Sequence, residues 1–229
     1  MNDDTFGGKV LAHHFQLEPA IQLPEGIEWL HPYGIAEVKS AMETFFQKYF
    51  SDGNGRIVLL GINPGRHGAG ITGLPFTDPI RMESHCGIKN SFKKRAELSS
   101  IFVYEVIEAL GGAEKFYSSF YFNSICPLGF VKDGKNFNYY DDKELLEAVM
   151  PMILQNIKAH LEMDVSSKVA FSIGQGKNFA FLQKINQEHA FFEFVKPLPH
   201  PRWVMQYRSK QKTAYVQQYV DELTAALSH

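Results

Sequence analysis

The chain has almost no cysteine, no strong charge of either sign and no long apolar run, and each shortage removes a class of protein. Cys86 and Cys126 are its only cysteines. Neither belongs to a CxxC pair, so a disulfide framework and a four-cysteine iron–sulfur cluster are excluded, and a reducing compartment fits. The formal net charge of −2 gives the whole molecule no attraction for nucleic acid. Basic residues gather only locally, at Lys89, Lys93, Lys94 and Arg95 and again at Arg202, Arg208, Lys210 and Lys212; such runs are usually solvated faces. No apolar stretch approaches membrane-spanning length, and the opening MNDDTFGGKV lacks the basic and apolar regions of a secretory leader. A soluble, cytoplasmic protein with no membrane partner is expected. His13, His14 and His31 come without a convincing set of partner ligands, so they read as surface or packing residues and no metal is expected.

What is present is ordinary globular material, 45% hydrophobic and 21% charged, with 19 Phe and 10 Tyr in 229 residues. That length suits one α/β domain with a full core. A single domain over 1–229 is expected, monomeric, with residues 1–34 as an N-terminal extension whose structure the pattern does not give.

Periodicity supplies the order of elements. Ile35, Val38, Met42, Phe45, Phe46 and Tyr49 recur at helical spacing, and the run Ser51 to Gly55 then breaks the pattern. Arg56 to Ile62 is short, apolar and rich in β-branched residues without polar alternation, which predicts a strand buried on both faces. The same rhythm predicts a helix over 98–110 closed by Gly111-Gly112, a strand over 119–125, a helix over 141–161, a strand over 168–173, a helix over 177–187, a strand over 191–196 and a closing helix over 209–227. Strands separated by helix-length segments imply a three-layer α/β/α sandwich around a mainly parallel sheet of about four strands.

In open α/β sheets ligands bind beyond the carboxyl ends of the strands. Three such ends carry Asn63-Pro64-Gly65, Asn123-Ser124-Ile125-Cys126-Pro127-Leu128 and Pro197-Leu198-Pro199-His200-Pro201-Arg202-Trp203. The first opens the glycine-rich stretch LLGINPGRHGAGITGLPF, residues 59–76. Gly68 to Gly73 has GxGxxG spacing, but Gly73 stands twelve positions beyond Gly61, and Leu74-Pro75 and Asp78-Pro79 follow where a helix should propagate. Gly65 to Gly70 has P-loop spacing, yet Ile71-Thr72 stands where Lys-Ser/Thr is required. A nucleotide-binding phosphotransferase therefore rests on the glycines alone. On composition the stretch is also compatible with a connection that merely turns the chain.

These residues resemble the single-strand-selective monofunctional branch of the uracil-DNA glycosylase superfamily. GINPGRHGAGITGLPF is similar to its first motif, approximately G-M-N-P-G-P-x-G-M-x-Q-T-G-V-P-F, with the same Asn-to-Phe spacing. Phe122 to Leu128 resembles its H-N-x-C-P-L segment, and Leu198-Pro199-His200-Pro201 its His-Pro motif. The anchors follow in the expected order and span the proposed sheet. Two departures stand out: Arg66 and His67 replace a Pro and a variable residue, and Arg202 to Arg208 replaces the family's Ser-Pro-Arg and DNA-wedging loop.

The resemblance implies a DNA glycosylase for uracil or a related damaged base, acting without metal or organic cofactor on single-stranded or duplex DNA. Asn63 would position the attacking water. His200 would stabilise charge developing on the base O2 without donating a proton. Phe76 would stack on the extruded base, Asn123 would read its amide-like edge, and the backbone at Ile62 and Gly65 would approach it closely. Arg202 or Arg208 would fill the gap left in the DNA. A second reading, a non-catalytic nucleic-acid-binding module of the same fold, keeps the pocket without the chemistry.

Overall fold

The computed structural model describes residues 4–228. In chain order its elements are α1 (Phe6–Phe15), β1 (Ile27–Leu30), α2 (Ala36–Tyr49), β2 (Arg56–Gly61), α3 (Ala69–Thr72), α4 (Pro79–Ser84), α5 (Leu98–Ala109), α6 (Ala113–Tyr117) and β3 (Phe120–Ser124). There follow β4 (Gly129–Lys132), β5 (Lys135–Phe137), α7 (Lys143–Glu162), β6 (Val165–Ile173), α8 (Lys177–His189), β7 (Phe194–Leu198), α9 (Pro201–Tyr207) and α10 (Lys212–Ala226).

Four parallel strands in the order β3-β2-β6-β7 form the central sheet, flanked by helices on both sides. Its inner strands lack polar alternation because neither face meets water: Val58, Leu59 and Leu60 of β2 and Ala170, Phe171 and Ile173 of β6 are all buried. Each such side chain contributes roughly 1.5–3 kcal/mol relative to exposure. On β3, Tyr121 faces Phe6 of α1, Phe46 of α2 and His160 of α7, whereas Phe120 and Phe122 face Phe116 of α6. The α/β/α layering follows from that alternation.

Several boundaries differ from expectation. The third parallel strand starts at Val165 and the fourth runs Phe194–Leu198, because Phe191 and Phe192 are buried in the connection before it. The closing helix expected over 209–227 begins as a 3₁₀ turn over Ser209–Gln211 and continues as α10, and a further short helix, α9, precedes it. From Thr5 onward the N-terminal segment is built into the core. Thr5 caps α1 by accepting from Gly8 N–H at 3.0 Å, and the next amides, Phe6 and Gly7, donate to Asp52 and Phe50 carbonyls at 2.7 and 2.9 Å. Phe6, Val10 and Leu11 are buried. Phe6 and Phe50 flank the buried Arg56 guanidinium, which donates to both carboxylate oxygens of Asp52 at 3.0 Å.

A second, antiparallel sheet, β1-β4-β5, was not foreseen. Its β4–β5 hairpin turns at Asp133-Gly134, both with positive φ (50° and 67°), as a tight hairpin turn requires. This hairpin stands beside the carboxyl end of the central sheet and helps to build the site.

Candidate active site

A cavity of about 570 Å³ opens at the carboxyl ends of the central strands. The loop after β2 supplies Ile62, Asn63, Gly65, Pro75 and Phe76; β3 supplies Ser124. The hairpin segment supplies Asn136, Asn138 and Tyr140, the turn after β6 supplies Gln175, and the start of α8 supplies Lys177 and Asn178. His200, Arg202, Trp203, Gln206 and Tyr207 come from α9 and its cap, and Glu97 and Ser99 from the start of α5. Thus Ile62, Asn63, Gly65, Phe76, His200 and Arg202 meet in one place, as their strand ends suggested, and Asn123 and Arg208 do not.

Asn63 is held by the hairpin. Its Oδ1 accepts from Tyr139 N–H at 3.1 Å and its Nδ2 donates to the Phe137 carbonyl at 3.2 Å. The two contacts settle which end of the amide is oxygen, and Oδ1 keeps a second lone pair. Phe76 occupies the left-handed region at φ 57°, uncommon for a bulky side chain and costing of order 1–3 kcal/mol. Its ring lies against the Gly61 Cα: a Cβ built there would meet Phe76 Cζ at 3.2 Å. On its other flank it packs edge-on against Phe122, with centroids 5.2 Å apart. Gly61 is therefore required by the close approach of that ring. Gly73 is required by its own backbone, ending α3 at φ 73°.

His200 caps α9, with Nδ1 accepting from Arg202 N–H at 3.2 Å. That bond leaves Nε2 as the protonated, donating nitrogen. Burial, with Arg202 beside it, pulls the imidazole down to about 4, so it is neutral at pH 7. The preceding turn is fixed by Tyr219, whose hydroxyl donates to the Pro199 carbonyl at 2.5 Å. The His200 and Phe76 rings lie 6.3 Å apart.

Asn123 is placed on the opposite face of β3. Its Nδ2 donates to His160 Nε2 at 2.9 Å and its Oδ1 accepts from Ser124 N–H at 2.8 Å, so both ends of the amide are engaged away from the cavity. The reason is strand pleat: a shift of one residue moves a side chain to the other face. One residue separates Asn from Cys in H-N-x-C-P-L, but two separate Asn123 from Cys126, so Ser124 takes the place in the cavity. Arg208 is likewise displaced. Its guanidinium lies 5.0 Å from the Trp203 ring centroid and donates to the Tyr207 carbonyl.

The residues missed from sequence lie on unread segments. Asn178 is buried behind the turn after β6, donating to the Leu60 carbonyl at 3.3 Å and to Ser172 Oγ at 3.2 Å, and accepting from Tyr139 Oη at 2.9 Å. The strand end Gly174-Gln175-Gly176 was its signal. Asn136 follows Asp133-Gly134, a pair that announces a hairpin; its Oδ1 accepts from Arg66 N–H at 3.0 Å.

A parallel sheet whose strand ends bring an amide, an aromatic ring and a neutral imidazole to one cavity matches the sequence comparison: the Uracil DNA glycosylase superfamily model covers residues 47–224, and the chain belongs to that family. No curated protein sequence matches it. The crystal structure of Pedobacter heparinus SMUG2 is similar at a TM-score of 0.95 and 40% identity, over 98% of this chain and 99% of that one.

Proposed function

We propose that the protein is a monofunctional glycosylase that hydrolyses the N-glycosidic bond of uracil or a related damaged base extruded from DNA. The observation that carries this reading is the convergence on one cavity of Asn63 and Phe76, from the loop after β2, and of His200, from the cap of α9, in a chain of this family. A base inside a duplex is unreachable, so the substrate must be a flipped or single-stranded nucleotide. The Phe76 ring, propped by Gly61 and Phe122, offers its plane to such a base.

Bond cleavage leaves positive character on the sugar and negative charge on the base. The His200 Nε2–H meets that negative charge with a preoriented donor, and its neutrality means stabilisation without proton transfer. Asn63 Oδ1, oriented by Tyr139, holds the water with its remaining lone pair. An amide is a poor base, so the bond to the leaving base breaks well ahead of water attack. Ser124, which lines the cavity, reads the base edge. Lys177 is exposed, lies 5.6 Å from the Tyr140 ring and 3.9 Å from Asp141, and is therefore not the desolvated amine that a covalent mechanism favours, which supports the monofunctional reading.

The test is base release from uracil-containing single-stranded and duplex oligonucleotides and from a panel of other lesions. Release by the wild type, strongly reduced in Asn63→Ala and His200→Ala, is expected. A wild type that releases no base from any of them would overturn the proposal, and binding without release would leave the non-catalytic reading.

A further inference from the structure

Asn178 stands at the start of α8, where a short amide side chain ordinarily caps its own helix. This one reaches elsewhere. Its Nδ2 bonds tie it to Leu60 of β2 and to Ser172 of β6, and Ser172 Oγ donates onward to the Gly174 carbonyl at 3.0 Å. The Leu60 carbonyl admits only a donor, so the orientation of the amide is fixed and its Oδ1 is left to accept from Tyr139 Oη.

Tyr139 is fully buried, with its ring edge-on to Phe181 of α8 at a centroid separation of 5.0 Å. Burial first, and then Tyr140 and Cys126, push its hydroxyl up, so it stays protonated and donating. The N–H of the same residue donates to Asn63 Oδ1. Position 139 therefore joins two bonds, one to the amide that holds the water and one to the sheet. A phenyl ring without the hydroxyl would fill the same space and desolvate no polar group, so packing does not account for the phenol. What the hydroxyl adds is direction. At the exposed end of the segment Asp141 Oδ2 accepts from Asn138 N–H and Nδ2 at 3.0 and 2.7 Å, which closes a turn but does not set its distance from the sheet.

We propose that Asn178 is a positioning residue for Asn63, acting through Tyr139: by holding the phenol against the ends of β2 and β6 it sets the place of the Tyr139 N–H, and with it the aim of the Asn63 oxygen. The assignment rests on the glycosylase reading and names what orients that reaction's water. Ring contacts alone have no preferred direction, and a shift of about 1 Å at a group that places a reactant costs up to about a hundredfold in rate.

The experiment is single-turnover release from a uracil-containing single-stranded oligonucleotide over a range of enzyme concentrations, which gives a limiting rate and a half-saturating concentration. Tyr139→Phe and Asn178→Ala are each measured alone and combined with Asn63→Ala and with His200→Ala. Tyr139→Phe keeps the ring and loses only the donor, so it remains informative if Asn178→Ala, stripped of three buried bonds, fails to fold. It should lower the limiting rate about tenfold and leave the half-saturating concentration within about twofold. Added to Asn63→Ala it should cost nothing further, because the oxygen it aims is gone, whereas added to His200→Ala it should cost the full factor. A folded Tyr139→Phe enzyme with the wild-type limiting rate, or a loss of equal size with and without Asn63, would overturn the positioning in an enzyme that still releases uracil. A wild type that releases no base would overturn the glycosylase reading and the assignment together.

Discussion

The two faces of β3 carry histidines that are alike in protonation and unlike in everything else. On the Asn123 face, His14 and His160 are buried and neutral. His160 Nδ1 donates to the Asn156 carbonyl at 2.7 Å, its Nε2 accepts from Asn123, and His14 Nδ1 donates to the Val10 carbonyl at 2.8 Å. Among the described residues, His31 Nε2 is the one buried side-chain nitrogen or oxygen without a partner, and both ring nitrogens of His160 are engaged. On the cavity face, His200 is also neutral, and it is drawn down to about 4 as His14 is. One of its nitrogens is engaged and the other faces a cavity. A lowered imidazole therefore does not distinguish the two sites; a donor left unspent beside open space does.

The contrast is tested most severely at Asn63 and His200. Replacing either by Ala should lower single-turnover uracil release by about 10²–10³-fold, the usual cost of one preorganised charge-stabilising group, while stability falls only by the roughly 1 kcal/mol that the lost backbone contact or helix cap contributes. If both variants instead lose only that stability at full activity, the cavity is not the reacting site.

The next largest effect belongs to the closed face and is read by pH. The folded state holds His14 neutral until about pH 4, whereas its ordinary value is 6.5. Its contribution is therefore complete above 6.5 and lost as pH falls towards 4, because the unfolded chain takes up the proton first. The span corresponds to about 3 kcal/mol for this one group. Urea unfolding at a series of pH values should show that decline, added to those of His160 and His200, and His14→Phe should make it shallower.

Asn123→Ala should cost about 2 kcal/mol of stability by stripping partners from His160 and the Ser124 amide, with uracil release changed only a few-fold. Its neighbour should behave in the opposite way. Ser124→Ala, measured by the same two assays, should leave stability within about 0.5 kcal/mol and lower uracil release about tenfold, the value of one hydrogen bond to substrate. Equal responses at 123 and 124 would erase the distinction between the faces.

Much of this was legible beforehand, for a physical reason. The four parallel strands are buried on both faces, so they stand out as apolar runs, and the spacing of Asn63 and Phe76 lies within one continuous stretch of chain. Asn123 was misplaced because a one-residue difference before Cys126 is trivial in a motif and decisive in a pleated strand. The β1-β4-β5 sheet escaped notice because its strands have four, four and three residues, too few to show alternation. Helix α1 was obscured by Gly7-Gly8, poor helix formers held in place by the capping Thr5 and the core beneath. With the hairpin unseen, nothing in the sequence indicated what holds Asn63.

That hold has a spectroscopic consequence. The Tyr139 amide proton is bonded to Asn63 Oδ1, so its chemical shift and its rate of exchange with deuterated solvent register the order of the water-positioning amide itself. A ligand that draws on the same oxygen will perturb that single resonance, and an opening of the Asp133-Gly134 hairpin will appear there as lost protection while the central strands stay protected. One backbone signal thus follows the readiness of the site.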